Sequence, residues 1–226
     1  MTKKKNDFIK KLTALDLGGP LINAFSSVER DIVFEPFFKD KTEGFDPIPI
    51  GLGEHSDDVS ILASMLKILS PKKSWNLLEV GTGSGYSTAV LSSLVKKITT
   101  IEYHERLAVD AKKRLIDNGY FNIKFLAGDC SELDDRAGIF DAAIIHAGCM
   151  HSPYAVLNLL RPNGVAVFAM GPMHMQQVTL YKNIVEGSEA NPFARYTFFN
   201  TCNIPSIRGI YGNSNPGIDI FIEKGR

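Results

Sequence analysis

The sequence predicts an α/β fold, a doubly wound sheet of about seven mostly parallel strands, in one domain over residues 1–226. Two observations predict it. Apolar runs of strand length alternate with segments of helical periodicity over residues 71–185, the pattern of a parallel sheet covered on both faces. Three glycines at alternate positions follow the first of these runs. We expect a helical segment over residues 1–70 before this core and a β-rich extension over residues 186–226 after it.

The segment before the core begins with two short helices. Apolar side chains keep helical spacing over residues 7–17, where a Gly-Gly-Pro sequence ends the first helix, and again over residues 21–28. The loop over residues 39–46 has the composition of a mobile cover. Prolines and glycines punctuate residues 47–53, so that this segment is extended. We expect residues 54–58 to open the next helix.

That helix carries its apolar face from Val59 to Leu69, and Pro71 closes it. In the core, further helices are predicted over residues 105–118 and through residues 154–160. The predicted strands cover residues 76–80, 98–102, 122–126, 140–146 and 165–170 of the core, and residues 177–185 and 218–223 beyond it. In such sheets ligands bind at the carboxyl ends of the strands, near the switch between the first and fourth strands of the core.

The glycines lie in the turn that follows the first core strand, at Gly81, Gly83 and Gly85. Glycine is needed there because the turn requires positive φ and because a Cβ would keep a ligand away from the backbone. The dinucleotide fingerprint needs a further glycine where this chain has Tyr86, so the match to a nicotinamide site is poor. A nicotinamide dehydrogenase is therefore kept only as an alternative.

Acidic residues at the strand ends indicate a different cofactor. Glu79 would repel a pyrophosphate but suits a ligand with an ammonium and a sulfonium, as in S-adenosylmethionine. Glu102, twenty-one residues beyond Gly81, is placed to bind both ribose hydroxyls, and Asp129 could accept a hydrogen bond from an exocyclic amine such as that of adenine. The alternatives are solvated glutamates, and for Asp129 a turn or cap role. The predicted cofactor-binding residues are Glu79, Gly81, Thr82, Gly83, Gly85, Tyr86, Ser87, Glu102, Asp129 and Cys130.

Composition restricts the partners. Lys plus Arg and Asp plus Glu balance at 25 each, so no overall field attracts nucleic acid or an anionic membrane, and we expect neither as a partner. The odd count of 3 cysteines favours a reducing compartment, and no His or Cys spacing indicates a metal. No apolar stretch reaches the roughly 18 residues that a membrane helix needs. We expect a cytoplasmic monomer.

Five segments together resemble the protein-L-isoaspartate O-methyltransferases: residues 25–30, 47–51, 78–87, 128–129 and 160–164. The Pro-Ile-Pro-Ile-Gly sequence with the Val-Glu-Arg sequence before it is the part specific to that family. The resemblance implies the Rossmann-like class I methyltransferase fold and S-adenosylmethionine as the methyl donor. It also implies a protein or peptide substrate with isoaspartyl residues, whose side-chain or α-carboxyl group is esterified as a repair step.

This chain departs from the family at the acceptor site. After the Pro-Ile-Pro-Ile-Gly segment the family has a Thr-Ile-Ser type sequence whose hydroxyl helps to hold the acceptor carboxylate, with proline two residues later. Here the residues are His55, Ser56 and Asp57, with Val59 at the proline position. The hydroxyl is missing in register, and Ser56 lies one residue away. We take Ser56, His55 and Asp57 as the candidate catalytic residues, with a helix-cap role for Ser56 or Asp57 as the alternative.

Three functional hypotheses follow from this departure. A carboxylate is ionised at neutral pH and needs no general base, so donors around it suffice, and we expect weak activity toward isoaspartyl residues because an ionised Asp57 in the cleft would repel it. Alternatively, the acceptor is an amine or a hydroxyl, with His55 as the base and with His146 and His151 near the same edge. The third hypothesis is a non-catalytic scaffold that binds S-adenosylmethionine.

Overall fold

The computed structural model describes residues 3–184, 193–201, 204 and 207. The helices are α1 (Lys3–Ala14), α2 (Gly19–Ser27), α3 (Val59–Leu69), α4 (Tyr86–Ser92), α5 (Glu105–Asp117) and α6 (Tyr154–Leu157). The strands are β1 (Pro49–Gly51), β2 (Glu54–His55), β3 (Asn76–Val80), β4 (Lys97–Glu102), β5 (Ile123–Ala127), β6 (Phe140–Cys149), β7 (Leu160–Met170), β8 (Gln176–Asn183) and β9 (Phe193–Thr201). Short 3-10 helices lie at Arg30–Ile32, Pro36–Lys41, Cys130–Glu132 and Asp135–Ala137.

Seven strands form the central sheet in the order β5-β4-β3-β6-β7-β8-β9. The first five are parallel to one another, β8 is antiparallel to β7, and β9 is antiparallel to β8. The prediction of a doubly wound, mostly parallel sheet is confirmed. The chain leaves β3 toward β4 on one side and leaves β6 toward β7 on the other, so the two strands bound the crevice where such sheets bind ligands.

Two parts of the chain beyond β6 differ from the prediction. The helix predicted through residues 154–160 is wrong in length, because α6 ends at Leu157 and Leu160 already pairs with Phe140 in the sheet. Val156 and Leu157 are buried on α6, Leu159 in the turn after it, and Leu160 at the start of β7. Strand β9 lies in the predicted β-rich extension over residues 186–226, although its bounds were not predicted, and the predicted strand over residues 218–223 lies outside the described residues.

The prediction that residues 54–58 open a helix is wrong. Residues Glu54–His55 form β2, which pairs antiparallel with β1, and α3 begins at Val59. The reason is the turn before it, where Leu52 has φ 56° between two glycines that also have positive φ. Asp58 caps α3, with its Oδ1 accepting hydrogen bonds from the N–H groups of Ser60 and Ile61.

The segment before the core packs against the ligand edge of the sheet. A Cβ at Gly83 would lie 3.1 Å from Ile50 Cδ1, and Phe25 of α2 lies in a tilted ring contact with Tyr86 of α4. Residues 39–46, predicted as a loop cover, begin in the 3-10 helix Pro36–Lys41 and are tied down by a hydrogen bond from Arg30 Nη1 to the Gly44 carbonyl.

Alternation along the strands separates two layers of core. Leu77 and Ile144 face one layer, with α2, α3 and α4, while Leu78 and Ile145 face the other, with α6 and the ring of Tyr181. Burying both faces of β3 and β6 holds their carboxyl ends rigidly side by side. Across the described residues no helix has both the length and the apolar character needed to cross a bilayer.

Candidate functional site

A cavity of about 500 Å³ lies at the carboxyl ends of β3, β4 and β6. This volume is within the usual range of roughly 300 to 1,000 Å³ for a small-molecule site. One wall is the turn after β3, a second is the end of β4, and a third is the β1–β2 hairpin with the residues that follow it. The predicted residues that line the cavity are His55, Ser56, Asp57, Gly81, Thr82, Gly83, Tyr86, Ser87, Glu102 and Cys130.

The turn after β3 adopts the conformation that its glycines predicted. Gly81, Gly83 and Gly85 have φ of 94°, 53° and 90°, so all three require the left-handed region. The three glycines differ in the atoms that a Cβ would contact. A Cβ at Gly85 would lie 3.0 Å from Leu115 Cδ1 of α5, so this glycine allows close packing between helices and does not line the cavity.

Glu102 lies at the end of β4 with its carboxylate in the cavity wall. It is 6% exposed, and each of its oxygens accepts one backbone hydrogen bond, from Gly83 N at 2.9 Å and from His104 N at 3.0 Å. A carboxylate has about four acceptor positions, so two remain for a ligand. The carboxylate therefore joins the glycine turn to β4 and is still able to bind a pair of hydroxyls.

Glu79 lies behind the cavity wall, fully buried. Thr88 Oγ1 donates to its Oε2 at 2.6 Å, and His146 Nε2 lies 3.1 Å from its Oε1. Both carboxylate oxygens are thus bound within the protein, and Glu79 does not line the cavity. Its charge acts on the site through His146.

His146 follows the buried part of β6 and joins two carboxylates. Its Nδ1 lies 2.6 Å from Asp57 Oδ2, with the N–H direction off the line to that oxygen, and its Nε2 lies 3.1 Å from Glu79 Oε1. Burial alone would lower the pKa of the imidazole, but the charges and hydrogen bonds of Asp57 and Glu79 outweigh it and raise the pKa to about 10. The ring is therefore an imidazolium at neutral pH.

The three candidate catalytic residues lie at the mouth of the cavity. Ser56 Oγ accepts from Ile48 N at 2.9 Å and lies 3.3 Å from the Asp57 carbonyl, to which it donates. The His55 side chain is exposed. Asp57 points to His146, and the prediction that Ser56 or Asp57 caps α3 is wrong because Asp58 has that role.

His104, which is not among the predicted site residues, lines the cavity. Its Nε2 lies 3.2 Å from Glu54 Oε1, which gives the hairpin a second carboxylate–histidine pair. The two partners are 50 residues apart, so no local pattern connects them. The second strand of the hairpin and the segment after it are thus each held by a histidine, Glu54 by His104 and Asp57 by His146.

Asp129 and Cys130 follow β5. Asp129 Oδ1 accepts from Ser131 N at 2.8 Å and caps the 3-10 helix Cys130–Glu132, the turn role that the sequence left open as the alternative. Burial, and next the charge of Asp129, raise the pKa of the Cys130 thiol to about 12, so it is neutral at pH 7. Cys130 is therefore a weakly polar wall residue and not a nucleophile.

Two further predicted residues are fixed by buried contacts. Thr82 Oγ1 lies 2.6 Å from Thr100 Oγ1, which ties the turn to β4. The ring of Tyr86 lies 4.6 Å from the guanidinium carbon of Arg30, a cation–π contact that also includes Phe34 and Phe8. Arg30 thus connects the Val-Glu-Arg sequence to the cofactor turn, which the sequence alone did not indicate.

Comparisons with known proteins assign the family. The model of the family "Protein-L-isoaspartate(D-aspartate) O-methyltransferase (PCMT)" matches residues 3–199. The protein-L-isoaspartate O-methyltransferase of Rhodopseudomonas palustris (strain BisB5) is 32% identical over 190 residues, which cover 84% of this chain and 86% of that protein. Protein-L-isoaspartate O-methyltransferase 1 of Nitrosospira multiformis is 35% identical over 172 residues, 76% of this chain and 73% of that protein.

Solved structures agree in fold. A protein-L-isoaspartate O-methyltransferase superposes with a TM-score of 0.80 at 18% identity, covering 92% of this chain and 67% of that one. A Plasmodium falciparum structure of the same enzyme class, in complex with S-adenosyl-L-homocysteine, gives a TM-score of 0.77 at 17% identity, covering 92% and 99%. The chain belongs to the protein-L-isoaspartate(D-aspartate) O-methyltransferase family.

Proposed function

We propose that this chain transfers the methyl group of S-adenosylmethionine to the carboxyl group of isoaspartyl residues in proteins or peptides. The family to which it belongs uses that cofactor. The observation that carries the proposal is a cavity of about 500 Å³ that has the glycine turn and Glu102 on one side and the acceptor hairpin on the other. A methyl donor and an acceptor that share this cavity can be held in line without water between them.

The cofactor half of the cavity suits the predicted ligand. Glu102 has two free acceptor positions for ribose hydroxyls, and the backbone of Gly81 and Gly83 allows close approach. Asp129 is not among the residues that line the cavity, and its Oδ1 caps a turn, so its predicted contact with an exocyclic amine has no support from this geometry. When bound, S-adenosylmethionine supplies an electrophilic methyl group on a sulfonium.

The chain's residues need only bind and orient the acceptor. An isoaspartyl carboxylate is ionised at neutral pH, so no proton has to be removed from it. Ser56 is bound to the backbone of Ile48 and to the Asp57 carbonyl, which leaves its hydroxyl occupied. We therefore propose that Ser56 shapes the hairpin, and that the donors to the acceptor come from another part of the wall.

The charge of Asp57 does not stand alone in the cleft. Its carboxylate lies against the His146 imidazolium, so most of the repulsion expected for an anionic acceptor is offset. Glu79 lies on the other side of that ring, so the three groups together keep one net negative charge. This residual charge supports the expectation of weak activity toward a carboxylate.

The test is methyl transfer from labelled cofactor to an isoaspartyl peptide and to its normal aspartyl twin, with the native chain and with Asp57→Ser. Transfer specific to the isoaspartyl peptide by the native chain supports the proposal. Transfer by Asp57→Ser alone would mean that the native enzyme acts on a different acceptor, such as an amine or a hydroxyl. Cofactor binding by calorimetry with no transfer from either protein would favour the non-catalytic scaffold.

We also propose that the chain acts as a cytoplasmic monomer of one domain over residues 1–226, with no nucleic-acid or membrane partner. The balanced charge supports the absence of such partners. Light scattering of the purified chain at two concentrations tests the monomer, because a mass that rises with concentration would contradict it.

A further inference from the structure

The contacts of His146 determine which atoms donate and which accept in its hydrogen bonds with Glu79 and Ser87. Its Nε2 lies 3.1 Å from Glu79 Oε1 and 2.9 Å from Ser87 Oγ. An ionised carboxylate only accepts hydrogen bonds, so Nε2 must carry a hydrogen to bind Glu79. A ring nitrogen that carries a hydrogen cannot accept one. Ser87 therefore accepts from His146 and does not donate to it.

The second ring nitrogen lies at ion-pair distance from a carboxylate, although its N–H direction is off the line to that oxygen. Asp57 Oδ2 lies 2.6 Å from Nδ1, so this nitrogen also faces a carboxylate. The charged groups that face the ring are Asp57, from the segment between β2 and α3, and Glu79, from β3; the side chain that reaches it from α4 is the uncharged Ser87. With an acceptor at each nitrogen, the ring is protonated at both.

Ser87 is consequently left with a hydroxyl hydrogen to donate. Its side chain lines the cavity, and its one side-chain hydrogen bond within the described part of the chain is the contact with His146. The residue is 6% exposed and lies in the cavity wall, so this hydrogen is available to a ligand in the cavity. A hydroxyl donor fixed in this way is suited to an anionic oxygen.

We propose that His146 is a positioning residue that holds Ser87 as a hydroxyl donor to a carboxylate bound in the cavity. This inference rests on the proposed function and identifies the donor that the hairpin lacks, since Ser56 is occupied and the in-register position is Asp57. Two carboxylates meet in that reaction, the isoaspartyl carboxylate of the acceptor and the methionine carboxylate of the cofactor. The experiment separates them.

The variants are Ser87→Ala, His146→Gln and the double variant, with Ser92→Ala and His151→Gln as matched controls. Ser92 lies on the same helix but donates to the Ala89 carbonyl, and His151 is exposed. We measure KM for the isoaspartyl peptide and Kd for S-adenosylhomocysteine. Losing a hydrogen bond to a charged group should change one of these by about 10-fold to 100-fold.

The two constants identify the ligand. A rise in KM for the peptide in Ser87→Ala, with Kd unchanged, assigns the acceptor carboxylate; a rise in Kd assigns the methionine carboxylate. If Ser87→Ala changes neither constant, the proposal is overturned. The double variant should lose no more than His146→Gln alone, because both changes break the same interaction, and additive losses would contradict the positioning role of His146.

A measurement without turnover keeps this test separate from the proposed function. Nitrogen-15 spectra of histidine-labelled protein, assigned with His146→Gln, should show both ring nitrogens of His146 protonated at pH 8. A neutral ring at pH 7 would overturn the inference even in an active enzyme. If the native chain binds S-adenosylhomocysteine but transfers no methyl group, the proposed function fails while these spectra and the Kd arm still decide the inference.

Discussion

At the scale of single residues, the role of each buried carboxylate in the site depends on the groups that offset its negative charge. Glu102 is balanced by backbone N–H groups, and each of its oxygens keeps capacity for a ligand. Glu79 and Asp57 share one imidazolium. A buried carboxylate without such partners would be protonated or would destabilise the fold, so these contacts determine which acids bind ligand and which only set the charge.

Replacing Glu102 by alanine should weaken cofactor affinity by about 1 to 3 kcal/mol, because ribose hydroxyls would lose their charged acceptor. Isothermal titration with S-adenosylhomocysteine measures this. Glu105→Ala, at the exposed start of α5, is the matched control and should leave Kd unchanged. Equal affinities for the native chain and the Glu102 variant would show that this carboxylate does not face the ribose.

The stability contributed by His146 should depend on pH. Its pKa is raised to about 10 in the folded state, above an unfolded value near 6.5. A raised pKa contributes stability that is fully present below the unfolded pKa and is lost as pH rises through the folded one. Urea unfolding of the native chain and of His146→Gln at pH 6, 8 and 10 should therefore show a stability difference that shrinks with pH. A difference that grows with pH would contradict the imidazolium.

At the scale of elements, the β1–β2 hairpin and the turn after β3 are the two parts that form the site, and neither is long. The hairpin is held by its short ladder, by the hydrogen bonds between Ile48 and Ser56 at its base, and by two histidines. The turn is held by Glu102 and by the packing of α4 against α5 at Gly85. Both therefore depend on the rigidity of the sheet beneath them.

The cap of α3 gives one prediction for these elements. Asp58→Ala removes the acceptor for the N–H groups of Ser60 and Ile61, and should cost about 1 kcal/mol. For a chain of this size the melting temperature should fall by roughly 2 to 4 °C. Asp46→Ala, in the exposed segment before β1, serves as the control and should melt like the native chain. An unshifted melting temperature in the Asp58 variant would contradict the cap.

The packing of α4 against α5 gives a second prediction at this scale. Gly85→Ala places a Cβ on a residue with positive φ, which should destabilise the fold by roughly 1 to 2 kcal/mol. The new Cβ would also lie 3.0 Å from Leu115 Cδ1. Gly119→Ala is the matched control, since Gly119 has φ of 86° but open space around its Cβ. Thermal melting should show a larger loss for Gly85→Ala than for Gly119→Ala. Equal losses would mean that only the backbone conformation matters at this turn.

At the scale of the whole molecule, the order of the sheet places a cofactor and an acceptor in one cavity. The strands on either side of the crevice belong to different halves of the core, and the hairpin closes the cavity from the segment before it. A ligand that contacts all of these parts binds only the folded chain and not the unfolded chain. Ligand binding should accordingly stabilise the whole domain rather than one element.

S-adenosylhomocysteine at 100 times its Kd should therefore stabilise the chain by about 2.7 kcal/mol. The melting temperature should rise by roughly 5 to 10 °C in a chain of this length. NAD at the same concentration is the control, because the turn has Tyr86 at the sixth position of the dinucleotide fingerprint, where glycine is needed. A rise in melting temperature with NAD and none with S-adenosylhomocysteine would contradict the proposed cofactor and favour the nicotinamide alternative.

The sequence by itself determined the features that depend on local pattern. Strand β3 has the predicted bounds, the turn glycines have positive φ, and the family follows from segments that remain contiguous in the chain. The tertiary structure decided the roles of His146 and His104, because their partners lie 67 and 50 residues away and no periodicity connects them. It also decided that Asp58 caps α3, since the glycine-rich turn directs residues 54–55 into a hairpin. Alternation and spacing fix which face of an element is buried, but only the register between strands determines which side chains meet at the edge of the sheet.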